Sequence, residues 1–559
     1  SSVPRCWSLM PGVEHVMCKR LLNGLFLQVN GVIQPIFKPW LARTATIRFY
    51  TPINGPHEWS PFALEVNMAN KVTDFRSAVE LLETIPGQLV TTDVEVEPRA
   101  QLSGVYRHIG AGGTVMRPTK EGPAMIFNNV KGHPGARVAI GMLASRTRVG
   151  HLLDCDPKRL GFLLNDAVKN PIPVQNVGAD EAVCQEVVYK ADDPDFDIRK
   201  LIPAPTNTEE DAGPYITMGM CYASDPETGE SDVTIHRLCL QSKDEISMYF
   251  VPGARHLTVF REKAEKAGKP LPISISIGVD PAIEIAACFE PPTTPLGFNE
   301  LTIAGAIRGE AVKMADCLTI PEKCIANAEY VIEGELLPDV RVREDQHSES
   351  GKAMPEFPGY TGGAQAALPI IKVKAVTTRK NPIMQTVIGP SEEHVSMAGI
   401  PTEASILSMV DKAMPGRVQN VYAATPGGGK YMAVIQFKKL IPSDEGRQRQ
   451  AALIAFTAFP ELKHVWLVDE DVDPFDIKDV IWAMNTRFQA DHDVITIPGV
   501  RCHPLDPSND PTCDPSIRDH GIACKTIFDC TVPYDQKHRF QRSKFMDVDA
   551  SHWVPGFED

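Results

Sequence analysis

The sequence predicts a mixed α/β protein with more than one domain. Its 559 residues exceed what one hydrophobic core usually supports, so two or three domains are expected. Apolar runs alternate with helical patterns in the first part, strand-like segments fill the middle, and a strand–helix unit lies near the end. These observations give the fold class α/β (α+β), with a strand-rich domain between two α/β domains.

The first α/β domain is expected over residues 68–200. Asp74 leads into apolar residues at helical spacing over positions 75–82, which predicts a helix. Positions 124–127 and 138–142 are short apolar runs of the kind found in buried strands.

The central domain is expected over residues 201–375. Two helices are predicted to interrupt it, one after His256 and one after Pro281. Its predicted strands share alternating or β-branched apolar residues and lie at 234–240, 246–250, 273–277 and 330–334.

The second α/β domain is expected over residues 376–559. A strand at 465–468 is followed by the acidic segment 469–473 and by a helix through 481–484. Acids at such a strand–helix switch lie where α/β sheets bind ligands. From Tyr534 onward the sequence is typical of a polar tail.

Composition excludes several function classes. A net charge of -15 argues against nucleic acid or an anionic membrane surface as a partner. No apolar run approaches the length of a bilayer span. The 13 cysteines contain no C-x-x-C pair and no zinc-finger spacing, which indicates reduced thiols in a cytoplasmic protein.

Residues 1–67 differ in composition from the rest of the chain. They are rich in Pro, Trp and Phe and contain few acids. An organellar targeting segment would explain this, and so would upstream sequence translated ahead of a start at Met68. The second explanation is favoured because no amphipathic basic helix is visible. Deleting the segment is then expected to change activity and stability little.

The polar segment 343–362 is the most informative candidate site. It combines carboxylates, His347 and two Pro/Gly turn signals, and irregular loops of this kind often carry function. Glu356 is followed by Phe357 and Pro358. Apolar neighbours can raise the pKa of a carboxyl group until it holds and donates a proton. A solvated surface loop is the alternative.

Asp232, His256 and Glu300 form a candidate metal site. Each lies at a predicted strand end or beside a helix start. One imidazole with two carboxylates suits a hard divalent ion such as Mn²⁺ or Mg²⁺. A structural histidine near a strand end is the simpler interpretation of His256.

Arg237 is a candidate anion-binding residue. It follows Asp232 by an odd number of positions, so a regular strand would place the two side chains on opposite faces. The planar guanidinium fits a carboxylate, although a surface arginine would also fit the pattern.

Residues 426–430, Pro-Gly-Gly-Gly-Lys, resemble a P-loop only in part. Ala424 replaces its first glycine and Tyr431 replaces the Ser or Thr that would bind Mg²⁺. Nucleotide hydrolysis is therefore disfavoured, and a tight turn is expected. Lys438 or Lys439, at the end of the next strand, can meet a phosphate.

His394 and His503 are candidate proton-transfer groups. Each is also explained as an ordinary loop histidine.

Taken together, these segments resemble the UbiD-type decarboxylases, which use prenylated flavin mononucleotide (prFMN). The resemblance runs from about Met68 to the C-terminus and is strongest to the protocatechuate and gallate (hydroxyarylic acid) branch. The stretches that carry it are AGPYITMG (212–219), SDVTIHRLC (231–239), NELTIAGA (299–306), REDQH…AMPEFPGYTG (343–362), PSDEGRQ (442–448) and KTIFDCTVP (525–533).

The resemblance implies a fold and a cofactor. A split β-barrel like that of flavin reductases would hold prFMN, supplied by a flavin prenyltransferase, between the two α/β domains. The metal would be Mn²⁺ or another divalent ion on Asp232, His256 and Glu300, with K⁺ near Ala287 and Glu300. The implied flavin-binding residues are Asp232, Thr234, Ile235, His236, Arg237, Arg255, His256, Glu300 and Lys438. A homo-oligomer formed through the C-terminal domain is expected, and a small accessory subunit is allowed.

The resemblance also implies catalytic roles. Arg237 would orient the substrate carboxylate and Glu356 would donate the proton. Relatives carry a second glutamate before the donor, a place that either Glu344 or Glu349 can take here, and Glu344 aligns better from the upstream side.

The implied reaction is the non-oxidative, reversible decarboxylation of protocatechuate, gallate or 4-hydroxybenzoate to the phenol and CO₂. His394 or His503 would take the proton of a ring hydroxyl. The alternatives are another aromatic or heteroaromatic acid as substrate, and a non-catalytic flavin-binding module. A metal-centred decarboxylase is a further rival, but the sequence lacks its usual H-x-H pair.

Overall fold

The computed structural model describes residues 71–251, 256–509, 512, 521–554 and 556, together with the backbone of four earlier strands. Contacts divide the chain into two compact units, residues 1–71 and 72–559. The first contains two antiparallel pairs, β1 (Phe26–Val29) with β2 (Val32–Pro35) and β3 (Thr44–Pro52) with β4 (Trp59–Asn67). The rest of residues 1–67 lies outside the described residues, and the predicted dispensability of this segment stays a prediction.

The second unit begins with the predicted helix, α1 (Phe75–Thr84). Asp74 caps it by accepting a hydrogen bond from the Ser77 amide at 2.8 Å, and the Ser77 hydroxyl accepts from the Asp74 amide. The next elements are β5 (Leu89–Thr92), α2 (Gln101–Ile109), β6 (Ala124–Phe127), β7 (Arg137–Ile140), α3 (Arg146–Leu153) and α4 (Leu160–Lys169). The two predicted apolar strands are confirmed as β6 and β7.

The middle of the chain is rich in strands, as predicted, and both predicted helices are present as α6 and α7. Its elements are β8 (Gln175–Asn176), β9 (Val187–Lys190), α5 (Ile198–Leu201), β10 (Tyr215–Ile216), β11 (Gly219–Ser224), β12 (Ser231–Ile235), β13 (Arg237–Leu240), β14 (Glu245–Tyr249), α6 (His256–Lys266), β15 (Leu271–Ile277), α7 (Pro281–Ala286), α8 (Leu301–Arg308), β16 (Lys313–Asp316), β17 (Lys323–Ile325), β18 (Tyr330–Val342), β19 (Lys352–Pro355), β20 (Thr361–Gly363) and β21 (Leu368–Thr378).

Nine of these strands form one antiparallel sheet, the expected split barrel. Its order is β10-β13-β14-β21-β18-β15-β11-β12, with β9 paired to β21. Alternate apolar side chains such as Leu238, Met248 and Ile275 are fully buried and form its core.

Strand pairing crosses the expected domain boundaries. A further strand, β22 (Ile383–Thr386), pairs in parallel with β7 and completes a four-stranded sheet of order β22-β7-β6-β5. Meanwhile β9, which precedes residue 201, belongs to the central sheet. The chain therefore returns to its first sheet before entering the C-terminal part.

The C-terminal part contains α9 (Glu392–Ala413), β23 (Val418–Ala423), β24 (Met432–Phe437), α10 (Arg447–Ala458), β25 (His464–Val468), α11 (Ile477–Arg487), α12 (Ala490–Asp493), β26 (Val494–Arg501) and β27 (Ile522–Asp529). Its sheet has the order β23-β24-β25-β27-β26. The predicted strand–helix unit is confirmed as β25 and α11. Its acids have a structural use, because Asp469 and Asp471 bind Arg487 at 3.0 and 2.6 Å.

Three further predictions concern membrane-spanning helices, the cysteines and the C-terminal tail. No helix among the described residues is both long and apolar enough to cross a membrane. The ten described cysteines form no disulfide. The predicted polar tail after Tyr534 is largely exposed, and it also exposes the apolar side chains of Phe545, Met546 and Trp553.

Candidate active site

A cavity of about 160 Å³ lies between the central sheet and the C-terminal part. One wall comes from β12, β13, β14 and the β19–β20 hairpin, and the other from α9 and three C-terminal loops. Of the predicted site residues, those that line it are Ile235, His236, Arg237, Glu356, His394 and His503.

Arg237 joins two carboxylates on the first wall. Its Nη1 donates to Glu356 Oε1 at 2.6 Å and its Nη2 to Glu344 Oε2 at 2.8 Å. The guanidinium also lies over the Tyr249 ring, 4.2 Å from its centroid. The arginine side chain is only 7% exposed, so it is a buried, paired cation rather than a surface arginine.

Glu344, rather than Glu349, occupies the place beside Arg237. The Tyr215 hydroxyl donates to Glu344 Oε1 at 2.9 Å, and the main-chain N–H of Gln365 donates to Glu344 Oε2 at 2.9 Å. Glu349, by contrast, is exposed in the irregular segment between Glu344 and β19. Each oxygen of Glu344 is therefore fixed, and Glu344 fixes Arg237 in turn.

Glu356 lies at the tip of the β19–β20 hairpin, which forms the second half of the loop predicted at 343–362; residues 343–351 are irregular, as predicted. Burial raises the pKa of this carboxyl group, and the nearby Glu344 adds to the rise, while Arg237 opposes it. The tip is held close to the β22–α9 connection, where a Cβ at Gly389 would collide with the carbonyl oxygen of Pro355.

His394 and His503 meet on the ring of Phe357, directly after the predicted proton donor. The His394 ring stacks on Phe357 with centroids 5.1 Å apart, and His503 approaches its edge at 4.8 Å. The Leu505 amide donates to His503 Nδ1 at 3.0 Å. A neutral His503 therefore carries its proton on Nε2.

Lys430, which was not predicted as a site residue, lies on the same wall. The turn before it places Gly428 and Gly429 at φ values of 62° and 76°, which confirms the predicted tight turn. Lys430 Nζ lies 2.6 Å from Glu461 Oε2 and 3.5 Å from Glu290 Oε1. Among the described residues lining the cavity, Lys438 is absent.

Asp232, His256 and Glu300 converge in a second, small pocket that also contains Thr234 and Glu290. All three are buried, and their ligand atoms lie within 4.8 Å of one another. His256 Nδ1 is 3.3 Å from Asp232 Oδ1.

Two buried atoms of this cluster, His256 Nε2 and Glu300 Oε2, have no hydrogen-bond partner among the described residues. Burial raises the pKa of Glu300, and the adjacent Asp232 adds to this effect. Two adjacent buried carboxylates and an imidazole nitrogen without a hydrogen-bond partner among the described residues form a ligand set that suits a hard divalent cation.

The strand prediction around Arg237 needs one correction. β12 ends at Ile235 and β13 begins at Arg237, so the predicted continuous strand 234–240 is interrupted at His236. Asp232 reaches the small pocket and Arg237 reaches the cavity. Ala287 is buried at the end of α7, and Arg255 lies outside the described residues.

Comparison with known proteins places the chain in a family. The N-terminal, Rift-related and C-terminal domain models of 3-octaprenyl-4-hydroxybenzoate carboxy-lyase match residues 80–168, 175–392 and 395–530. Gallate decarboxylase from Lactiplantibacillus plantarum is 58% identical over 482 residues, which are 86% of this chain and 98% of that protein. The chain belongs to the UbiD family.

Solved structures of UbiD-type enzymes share its fold. The apo 3,4-dihydroxybenzoic acid decarboxylase from Enterobacter cloacae has a TM-score of 0.83 and 59% identity, covering 87% of this chain and 99% of that one. An evolved dimeric form of HmfF from Pelotomaculum thermopropionicum, in complex with prFMN, has a TM-score of 0.72 and 31% identity, covering 86% and 99%. These findings confirm the predicted UbiD resemblance and the three-part architecture.

Proposed function

We propose that this UbiD-family chain is a prFMN-dependent decarboxylase of hydroxylated benzoic acids, of the protocatechuate and gallate class. The relatives named for gallate and for 3,4-dihydroxybenzoic acid support the substrate class. The observation that carries the proposal is one cavity with two walls. Arg237 and Glu356 lie on one, and His394, Lys430 and His503 lie on the other.

The Arg237 wall suits the carboxylate end of the substrate. Arginine has five N–H donors, and Arg237 gives one each to Glu344 and Glu356. Its remaining outer donors can hold the substrate carboxylate without releasing either glutamate. When bound, prFMN supplies the electron sink that the ring needs to release CO₂.

Glu356 is the group placed to protonate the ring. Decarboxylation replaces the carbon–carboxylate bond with a carbon–hydrogen bond, so each turnover consumes one proton at the carbon that loses CO₂. Burial raises the pKa of Glu356, which favours the protonated acid. Arg237 fixes its Oε1 at 2.6 Å and so sets the direction of the donated proton.

The opposite wall suits the hydroxyl end. Lys430 offers an ammonium group, and His503 offers Nε2–H because its Nδ1 accepts from Leu505. Both are hydrogen-bond donors toward a phenolic oxygen. Of the two predicted histidines, His394 is thus the better acceptor for the hydroxyl proton, and the stack on Phe357 holds its ring in place.

The small pocket suits the ion that would accompany the cofactor. Asp232, His256 and Glu300 would hold Mn²⁺ or a similar divalent ion, and Thr234 shares that pocket. K⁺ near Ala287 and Glu300, a supplying prenyltransferase, an accessory subunit and a homo-oligomer through the C-terminal domain stay predictions.

Co-expression with and without a flavin prenyltransferase tests the proposal. The co-expressed protein should show a flavin absorption spectrum and release CO₂ from 3,4-dihydroxybenzoate, gallate or 4-hydroxybenzoate, whereas protein made without the prenyltransferase should not. Turnover without flavin would support a metal-centred reaction. Bound prFMN with no turnover of any substituted benzoate would support a non-catalytic flavin-binding module.

A further inference from the structure

Glu461 stands behind the hydroxyl end of the cavity. It lies in the loop between α10 and β25 and is not among the described residues that line the cavity. Its Oε2 lies 2.6 Å from Lys430 Nζ, and its Oε1 lies 3.6 Å from His503 Nε2. These two are the only polar partners of its carboxylate in the described part of the chain. Both partners face the cavity.

The loop that carries Glu461 is held in place by hydrogen bonds to its backbone carbonyl oxygens. Lys525 Nζ donates to the carbonyl oxygens of Pro460 and Leu462, and the Cys502 thiol donates to the Glu461 carbonyl at 3.4 Å. Lys525 is buried. These three hydrogen bonds fix the main chain at and on either side of Glu461, so the point from which its side chain extends is set independently of the groups that the carboxylate contacts.

Lys430 lies between two carboxylates from different parts of the molecule. Glu461 approaches from the C-terminal part, and Glu290 approaches at 3.5 Å from the segment after α7. Glu290 lines both the cavity and the small metal pocket. Without Glu461, Glu290 would still attract the ammonium group of Lys430 and would draw it toward the metal pocket and away from His503.

We propose that Glu461 is a positioning residue that holds Lys430 beside His503, so that the Lys430 ammonium group can donate to a substrate hydroxyl. This rests on the proposed function and deepens it, because it assigns recognition of the phenolic end to a carboxylate that never touches the substrate. Charge-assisted hydrogen bonds depend strongly on donor geometry, so displacing this donor weakens the hydroxyl contact selectively.

Two probe ligands separate the ends of the cavity. Catechol carries only hydroxyls, and benzoate carries only a carboxylate. In calorimetry on the flavin-loaded protein, Glu461→Gln should weaken catechol binding by roughly tenfold or more, with benzoate affinity within about twofold of the unmodified protein. Because both ligands are measured on one preparation, a loss of folded protein cancels in their ratio.

Glu445→Gln is the matched control. Glu445 binds the buried Lys439 at 2.9 Å in the same part of the chain, and neither residue is among the described residues that line the cavity. This variant should leave both affinities unchanged. In a Lys430→Met background, Glu461→Gln should add little to the loss of catechol affinity, because the donor that it positions is gone.

Equal catechol affinities for the Glu461→Gln and unmodified proteins would overturn the proposal, as would full additivity with Lys430→Met. If Glu461→Gln is insoluble, Glu461→Asp replaces it in the experiment. The aspartate keeps the charge, but its side chain is shorter by one methylene group, so the carboxylate lies farther from Lys430. That variant should give an intermediate, catechol-selective loss, and an equal loss for benzoate would contradict the assignment. Failure of the proposed function is distinguishable, since the unmodified holoenzyme would then release no CO₂ from hydroxybenzoates.

Discussion

The two walls of the cavity hold their polar groups in different ways. On the central wall, Arg237 joins Glu344 and Glu356, and Tyr215 and Gln365 complete a closed network. On the opposite wall, His394, Lys430 and His503 come from three separate segments and share the Phe357 ring as a common support. The closed network suits a step that needs a fixed proton donor. The assembled wall suits recognition, which can change with single side chains.

Replacing the donor should have the largest effect. Glu356→Gln keeps the size and an acceptor for Arg237 but cannot supply a proton to carbon, so turnover should fall by roughly 100-fold to 10,000-fold. Flavin content, measured from the absorption spectrum, should stay as in the unmodified protein. Near-normal CO₂ release with full flavin content would remove Glu356 from the donor role.

Changing the geometry of the closed network should have the next largest effect. Arg237→Lys retains the charge but loses the fork that reaches Glu344 and Glu356 together. We expect a loss of roughly 10-fold to 100-fold in kcat/KM, the value of one charge-assisted hydrogen bond. Steady-state kinetics and a thermal melt check this. Unchanged kinetics would show that a single cation suffices.

Changes on the opposite wall, which we propose binds the substrate hydroxyl, should mainly alter KM. Lys430→Met removes one donor for the substrate hydroxyl while leaving Arg237 and Glu356 in place. KM for 3,4-dihydroxybenzoate should rise about tenfold, with a smaller change in kcat, as expected when binding common to ground and transition states is lost. A fall in kcat at constant KM would instead assign Lys430 to the chemical step.

A pH-dependent stability difference should be the smallest effect. The pKa of Glu356 is raised above its ordinary value of about 4.5. Its contribution to stability is therefore fully present below that value and is lost as pH rises through the folded-state pKa. Glu356→Gln lacks this titration. The stability of the unmodified protein relative to the variant should fall by at most about 1.4 kcal/mol per pH unit across that window. Parallel Tm profiles across that window would contradict the raised pKa.

The central wall was largely predictable from the sequence, whereas on the opposite wall His394 and His503 were predicted and Lys430 was missed. Arg237, Glu356 and the candidate metal ligands lie in short stretches that resemble a known family or mark element ends, so they could be recognised from the local sequence. The candidate ligands are Asp232, His256 and Glu300. Lys430 sits in a Gly-rich turn that suggested a phosphate loop, and nothing local connects it with Glu461. Their meeting depends on how α9, β24 and β25 pack, which no sequence window records.

Other differences have similar physical causes. The resemblance implied Lys438 as a flavin-binding residue; it is not among the described residues that line the cavity, and its role stays a prediction. The acids after β25 resembled a ligand site, but Arg487 neutralises them from the following helix. Glu344 could be separated from Glu349 only when the chain was folded, since both precede the donor on one loop.

Solvent-deuterium exchange into catechol tests the central claim most directly. The holoenzyme, incubated with catechol in D₂O without CO₂, isolates the proton-transfer step from carboxylate binding. We expect deuterium to appear at the ring carbon para to a hydroxyl, and NMR measures the rate at which it appears. Exchange should be abolished in Glu356→Gln. In Lys430→Met it should be slowed only at low catechol concentration. Exchange by Glu356→Gln at the rate of the unmodified holoenzyme would contradict the account.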